Sequence, residues 1–347
     1  MATTSFNELK STIDSIYGEE KKVTLKLLMD YIGEVLDLSP VDMDAFRKSR
    51  FSHGNDCPHC QQTSIIKFGK KNGQQRYKCR NCNKTFMDCT HSIFSNTKLS
   101  LEKWLRYIEC MVAGYSIRKC SEIVDVCVKT SFYMRHRVLD AIRTYLGIGH
   151  LDGIVEMDET YFAESFKGGH QKSGFILPRE SRKRGGEVSK RGISSEQVCV
   201  ATGIDRSGNM IIEMLCNGRM TTSDLIRLYG GNIDEGAILC TDSHKSYIGL
   251  ASSLSLEHKQ IPRGKHKVGE YHIQHINSLH SRLKDFTDKF RGISTKYLGN
   301  YLYWFKWFEY FKTQKEAKKG ESMLIHSATS DIQMTLADYQ TRKALFV

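Results

Sequence analysis

Two short apolar runs end in a carboxylate. In GIVEMDETYF, Ile154 and Val155 lead to Asp158 and Glu159; in GAILCTDSHKSY, Ile238 and Leu239 lead to Asp242. Two carboxylates at the ends of neighbouring strands can share one or two hard divalent cations. Such cations bind a phosphodiester, ionise a water and steady the leaving oxygen of an in-line displacement. Taken singly, each Asp is explained as well by the start of a turn. A third stretch, HINSLHSRLK at 275–284, is polar on one side when wound as a helix. At about 100° per residue, Asn277, His280, Ser281 and Lys284 share a face, and Leu279, Leu283, Phe286 and Phe290 take the other. That polar face holds chemically useful groups but no acid.

Cysteines carry the second chemistry. CPHC at 57–60 and CRNC at 79–82 are two Cys-x-x-Cys pairs with eighteen residues between them. Each pair can set two thiolates on one ion through a tight turn, so Cys57, Cys60, Cys79 and Cys82 complete a tetrahedron. The intervening SIIKFGKKNGQQRYKC reads as a hairpin about Asn72-Gly73. This is the pattern of a zinc ribbon with one structural Zn2+, because four protein ligands leave no position for water. His59 and Cys89 are spare candidates. The ribbon carries Lys67, Lys70, Lys71, Arg76, Lys78, Arg80 and Lys84. Such a surface suits phosphate contact, and Lys70, Lys71, Arg76 and Arg80 are the DNA-binding candidates there; a merely solvated face is the alternative.

The elements that must position these groups follow from patterning. Residues 1–50 hold a small amphipathic helix in VTLKLLMDYIGEVLDL, and 51–90 the ribbon. Residues 91–150 return to helical spacing. Ser116 can cap a short helix through Val124, and a longer one runs from about Thr130 to Tyr145. Two short helices and a longer one bearing Lys129, Arg135, His136 and Arg137 match a helix-turn-helix, so Arg135 and Arg137 join the DNA-binding candidates. From 151, GIVEMDETYF, QVCVATGI, NMIIEML and GAILCTD read as strands, with DRSGN a hairpin turn and a helix about TTSDLIRLYGG. A Gly- and Lys/Arg-rich stretch at 163–195 interrupts them as a basic loop. Helices return from 272 to 315, where Tyr297, Tyr301, Trp304, Phe305, Trp307 and Phe308 suit a packing helix better than a base-stacking platform. Residues 316–347 are left as a C-terminal tail.

Composition agrees. Lys and Arg number 51 against 39 Asp and Glu, a net +12, and the pI is about 9.1. That balance favours a polyanionic partner, nucleic acid before membrane. The N-terminus lacks a signal pattern and no apolar run approaches a membrane span, so a cytoplasmic protein is expected, its eleven cysteines thiols or metal ligands.

The order of zinc ribbon, helix-turn-helix, DETYF, a second strand-end Asp, HINSLHSRLK and KYLGNYLYWFKWF resembles the bacterial insertion-sequence transposases of the ISXO-like, DDE-type group. The resemblance covers about residues 40–315. It implies an RNase H-like catalytic domain over 151–315, a mixed sheet flanked by helices with acidic ligands on the first and fourth strands. It also implies a third ligand on a following helix, two catalytic Mg2+ or Mn2+ ions, and double-stranded DNA partners: the element's terminal inverted repeats and a target. A homo-oligomer on DNA, nucleoid-associated, is the expected working form. Asp158 and Asp242 match the first two acidic positions. The third departs from the family name, for Asn277 stands 35 residues after Asp242. Lys284 follows at the place of a DNA-contacting basic residue. Where some relatives carry a Glu, this chain has His280. An amide oxygen suits hard Mg2+ better than an imidazole does, so Asn277 is the expected third ligand and His280 the alternative, better suited to Mn2+.

The expected activity is therefore metal-dependent DNA strand cleavage and strand transfer. Three rival readings stand beside it: a non-enzymatic zinc-ribbon DNA-binding regulator, a nuclease that cuts without joining, and an inactivated transposase derivative.

Overall fold

A computed structural model describes residues 56–71, 74–168, 192–262, 264–265, 267–332, 334–344 and 346–347, with isolated positions at 11, 12, 15, 16, 20, 24, 51, 176, 177, 179 and 180. The helix expected within residues 1–50, the Asn72-Gly73 turn and most of the basic stretch at 163–195 lie outside them.

The ribbon is a three-stranded antiparallel sheet of β1 (Ile65–Lys71), β2 (Gln74–Cys79) and β3 (Thr85–Met87) in sequence order. Its own core is Tyr77 stacked on Phe86 beside the cysteines. So little apolar surface cannot offset the ordering of the chain alone, and a metal on the four cysteines would supply the difference.

Three helices follow: α1 (Leu101–Val112), α2 (Ile117–Val124) and α3 (Val128–Leu146). Ser100 and Ser116 cap the first two, each hydroxyl accepting the N–H three residues on. Asp125 ends α2 in the left-handed region, turning the chain sharply into α3. This is the expected helix-turn-helix arrangement. It has no core of its own, because Trp104, Ile108, Val138 and Ile142 share one cluster with the sheet and the helices beyond it. The tail joins them: α8 (Glu316–Thr329) packs on α1 and α3, and α9 (Leu336–Thr341) buries Tyr339.

The central sheet has β4 (Ile154–Ala163), β5 (Gln197–Asp205), β6 (Met210–Asn217), β7 (Ile238–Thr241) and β8 (Glu257–Gln260), ordered β6-β5-β4-β7-β8. The first three are antiparallel; β7 and β8 run parallel to β4. Between β6 and β7 lies α4 (Thr222–Tyr229), opened by a Thr221–Asp224 capping box, and after β7 lies α5 (Lys245–Ser253). Helices α4 and α5 cover one face of the sheet through Leu225, Leu228, Tyr247 and Leu250. Beyond β8, a small ribbon of β9 (Lys267–Val268) and β10 (Tyr271–His272) leads into α6 (Gln274–Asp288) and α7 (Thr295–Tyr310) on the other face. Trp304 and Trp307 of α7 are wholly buried, as a packing helix requires. Truncating either would cost about 3–5 kcal/mol. The sheet is mixed and flanked by helices on both faces, the layering the resemblance implies. No helix among the described residues is long and apolar enough to cross a membrane.

Candidate metal and nucleic-acid sites

Period-two alternation divides β4. Val155 and Met157 enter the α4–α5 core, which turns Glu156, Asp158 and Thr160 toward α6. Asp158 was expected to end its strand, but β4 runs five residues further because β5 continues to pair with it through Ala163. What ends near Asp158 is β7. Its parallel register pairs Ile154 with Ile238 and Glu156 with Cys240. Continuing that register by two residues sets Asp158 level with Asp242, just past the last residue of β7. Glu159 goes to the opposite face, where its Oε2 accepts the Tyr247 hydroxyl at 2.9 Å.

The Asp158 side chain lies under α6. Burial, with Glu159 and Asp242 alongside, pushes its carboxyl up to about 7, and Lys284 pulls the other way. Two acids and a lysine thus share one electrostatic neighbourhood. Asp242 is exposed, and its Oδ1 accepts the His244 N–H at 3.0 Å. It starts a turn as well as closing the strand, so the two readings of that residue hold together.

On α6, Ile276, Leu279, Leu283 and Phe286 are buried as the helical pattern requires, but so is His280, at 9% exposure. The Thr202 hydroxyl, on β5 directly across from Asp158, donates to the Asp158 carbonyl oxygen at 2.7 Å. Its oxygen therefore accepts from His280 Nε2, also at 2.7 Å. That puts the imidazole proton on Nε2 and leaves a lone pair on Nδ1, 3.7 Å from Asp158 Oδ2. Burial, then Lys284, holds the ring down to about 4, so it is neutral at pH 7. Asn277 and Lys284, one turn to either side, are both exposed. Two carboxylates from the sheet, with an unprotonated ring nitrogen and an amide from the helix, are donors that suit a divalent cation.

Residues 150–309 match the profile of the ISXO2-like transposase domain. These residues are similar to that transposase domain. An uncharacterized protein in transposable element ISH50 of Halobacterium salinarum is 27% identical over 256 residues, 73% of this chain and 84% of that relative. Among solved structures, the Mos1 strand transfer complex superposes loosely, with a TM-score of 0.27 and 14% identity over 70% of this chain and 82% of that one. The Mos1 mariner paired-end complex with Mn gives a TM-score of 0.24 at 12% identity, over 62% and 73%.

Within the matched residues lies a cluster the strand pattern could have shown, for a charged residue at 156 alternates in phase with Asp158. Glu156 is 1% exposed. Its Oε2 accepts the Ile276 N–H at 3.1 Å, and its Oε1 lies 2.7 Å from Arg206 Nη1, 3.2 Å from His272 Nδ1 and 2.9 Å from His275 Nδ1. Glu156, His272 and His275 hold their ligand atoms close enough for a metal. The Arg206 guanidinium already supplies the cation, and its Nη1 stands 2.5 Å from His275 Nδ1.

In the ribbon, Cys57 Sγ is 3.7 Å from Cys82 Sγ, and Cys60 Sγ is 3.6 Å from Cys79 Sγ. Thiolates about 2.3 Å from a tetrahedral Zn2+ stand about 3.8 Å apart, so this set fits zinc. The Cys82 backbone N–H leads in pulling the Cys79 thiol down to about 7. His59 and Cys89 are outside the set. Lys70, Lys71 and Arg80 are exposed; Arg76 is half-buried, its guanidinium over the Phe68 ring.

Two expected DNA contacts are overturned. Arg135 is 1% exposed: its Nη2 donates to the Tyr115 carbonyl at 2.6 Å and its guanidinium lies over Trp304. Arg137 is also buried, donating to the Ser92 carbonyl and the Tyr133 hydroxyl. Sharing a core with α7 turned that face of α3 inward, where a guanidinium is retained only with acceptors and rings around it.

Proposed function

We propose that this protein is a transposase that binds the ends of its insertion sequence as a homo-oligomer and catalyses metal-dependent cleavage and strand transfer of DNA. One observation carries the reading: Asp158, against the helix that bears Asn277, His280 and Lys284, stands level with Asp242, just past the end of the adjacent parallel strand. Asp158, Asp242 and the Asn277 amide oxygen hold the catalytic Mg2+ or Mn2+. Two such ions, when bound, would supply the Lewis acidity to ionise a water or the freed 3′-hydroxyl and to stabilise the leaving oxygen. Lys284 contacts the phosphate backbone beside them. Thr202 links the Asp158 backbone to His280, and the burial of Asp158 makes its charge dependent on a cation. A divalent cation and a polyanionic substrate answer each other's charge in such a setting.

The ribbon, with one zinc on Cys57, Cys60, Cys79 and Cys82, presents Lys70, Lys71, Arg76 and Arg80 to the terminal repeats. A second reading of the third ligand, His280, is favoured by its lone pair 3.7 Å from Asp158. A zinc-ribbon regulator would have no use for the two level carboxylates. Asp158→Ala and Asp242→Ala should each abolish cleavage of end-containing DNA with binding to the ends intact. Cleavage persisting in both variants refutes the assignment. Formation of joined product separates a transposase from a nuclease that only cuts.

A further inference from the structure

A groove of about 980 Å³ opens where the helix-turn-helix meets the loop between α6 and α7. On one side stand Arg118 of α2 and Lys129 of α3; on the other, Lys289 and Arg291 of the loop and Lys167 just beyond β4. All five are exposed. No Asp or Glu lines it among the described residues. The floor is aromatic: Phe132 and Phe290 are half-buried in it, backed edge-on by Tyr297 and Tyr301.

The loop wall is held in place. Arg291 takes a left-handed φ of 50°, a conformation a non-glycine residue keeps only when its surroundings impose it. Lys167 Nζ supplies the constraint by donating to the carbonyls of Arg291 and Gly292 at 3.3 and 2.9 Å. The Thr295 N–H to Ser165 carbonyl bond, 2.9 Å, ties the same two segments together. Lys289 follows the last residue of α6, the helix whose Lys284 sits beside Asp158, so the basic wall continues the line of the site.

We infer that this groove takes an unpaired stretch of DNA strand next to the scissile phosphate, its phosphates on the basic rim and its bases on the Phe132–Phe290 floor. The inference rests on the proposed DNA cleavage. A cationic rim alone would suit any duplex. An aromatic floor serves only a strand whose bases are free, because a duplex keeps its base faces stacked inside.

The test measures fluorescence anisotropy of the full chain with two labelled probes: an end-containing duplex, and the same duplex carrying a short single-stranded extension at the cleavage position. Wild type should bind the extended probe about tenfold more tightly. Lys129→Glu and Arg291→Gly should remove most of that preference and leave the blunt duplex within about twofold. Phe132→Leu, which keeps the floor apolar but removes its ring, should weaken the extended probe alone. Should that variant misfold, as its melting curve would show, the two charge variants decide. Equal losses on both probes would make the groove a general phosphate patch, and unchanged affinity for both would mean DNA does not enter it; either overturns the inference. A wild type that prefers the extension but never cuts would instead count against the proposed activity.

Discussion

Glu156 Oε2 and the Ile276 N–H meet at 3.1 Å, and this contact sets where α6 lies along β4. Ile273, at the start of α6, offers no side-chain cap, so a buried carboxylate from the sheet satisfies one of the helix's free N–H groups. Two residues on, Asp158 faces His280, four residues after Ile276. Two strand residues span about 6.6 Å and four helical residues about 6 Å, so the two contacts match as a ruler. Glu156→Ala should lower cleavage about tenfold to a hundredfold through displacement of α6, with end binding retained. Glu156→Gln keeps an acceptor for Ile276 and should recover much of the rate. Equal rates for Glu156→Ala and wild type would show that α6 is placed by its apolar face alone.

The third ligand can be decided by metal dependence. If Asn277 supplies it, Asn277→Ala should abolish cleavage with Mg2+ and Mn2+ alike. Asn277→Asp, which keeps an oxygen and adds charge, should retain activity and bind metal more tightly. His280→Ala should then be impaired about tenfold, through a less firmly held Asp158, with similar loss for both ions. Loss of the Mn2+-supported reaction in His280→Ala alone would move the assignment to the imidazole.

Chelation addresses the ribbon. Four thiolates with zinc-like separations predict one tightly held Zn2+ per chain, measured by elemental analysis. Its removal, or Cys79→Ser, should cost end binding by tenfold or more. Unfolding of the central sheet should change little, because the ribbon's small core is separate from both larger ones. Retention of a full zinc equivalent in Cys79→Ser would contradict the four-cysteine assignment.

Arg135→Ala should act on stability rather than on DNA affinity. The change removes a guanidinium packed on Trp304 and leaves the Tyr115 carbonyl only the weak Cys120 thiol as side-chain donor. A loss of about 3 kcal/mol in denaturant unfolding is expected. DNA affinity of the folded fraction should stay within about twofold. A large affinity loss without destabilisation would restore Arg135 to the interface.

Much of this architecture was legible in residue order because local rules carry it. Two Cys-x-x-Cys pairs bring four thiols together through their own turns. Ser116 capped its predicted helix, and DRSGN joined β5 to β6 as a hairpin. The apolar stripe of α6 went inward. Each of these depends on residues a few positions apart. Asp158 and Asp242 could be named as candidates on the same terms, from apolar runs that finish in an acid.

Tertiary structure decided the rest, since it turned on which face meets which. Only the parallel register of β4 and β7 could set Asp158 level with Asp242, as pairing between distant segments follows from shared burial and not from local pattern. The same register shows that β7, not β4, ends there. Sharing a core with α7 took Arg135 and Arg137 away from solvent and left Arg118 and Lys129 exposed in their place. His280, one of four polar residues on its helix face, became a buried neutral ring because Thr202 of β5 lay across from it. A helical projection tells which residues point the same way. What they point at belongs to the partner surface, and that surface comes from elsewhere in the chain.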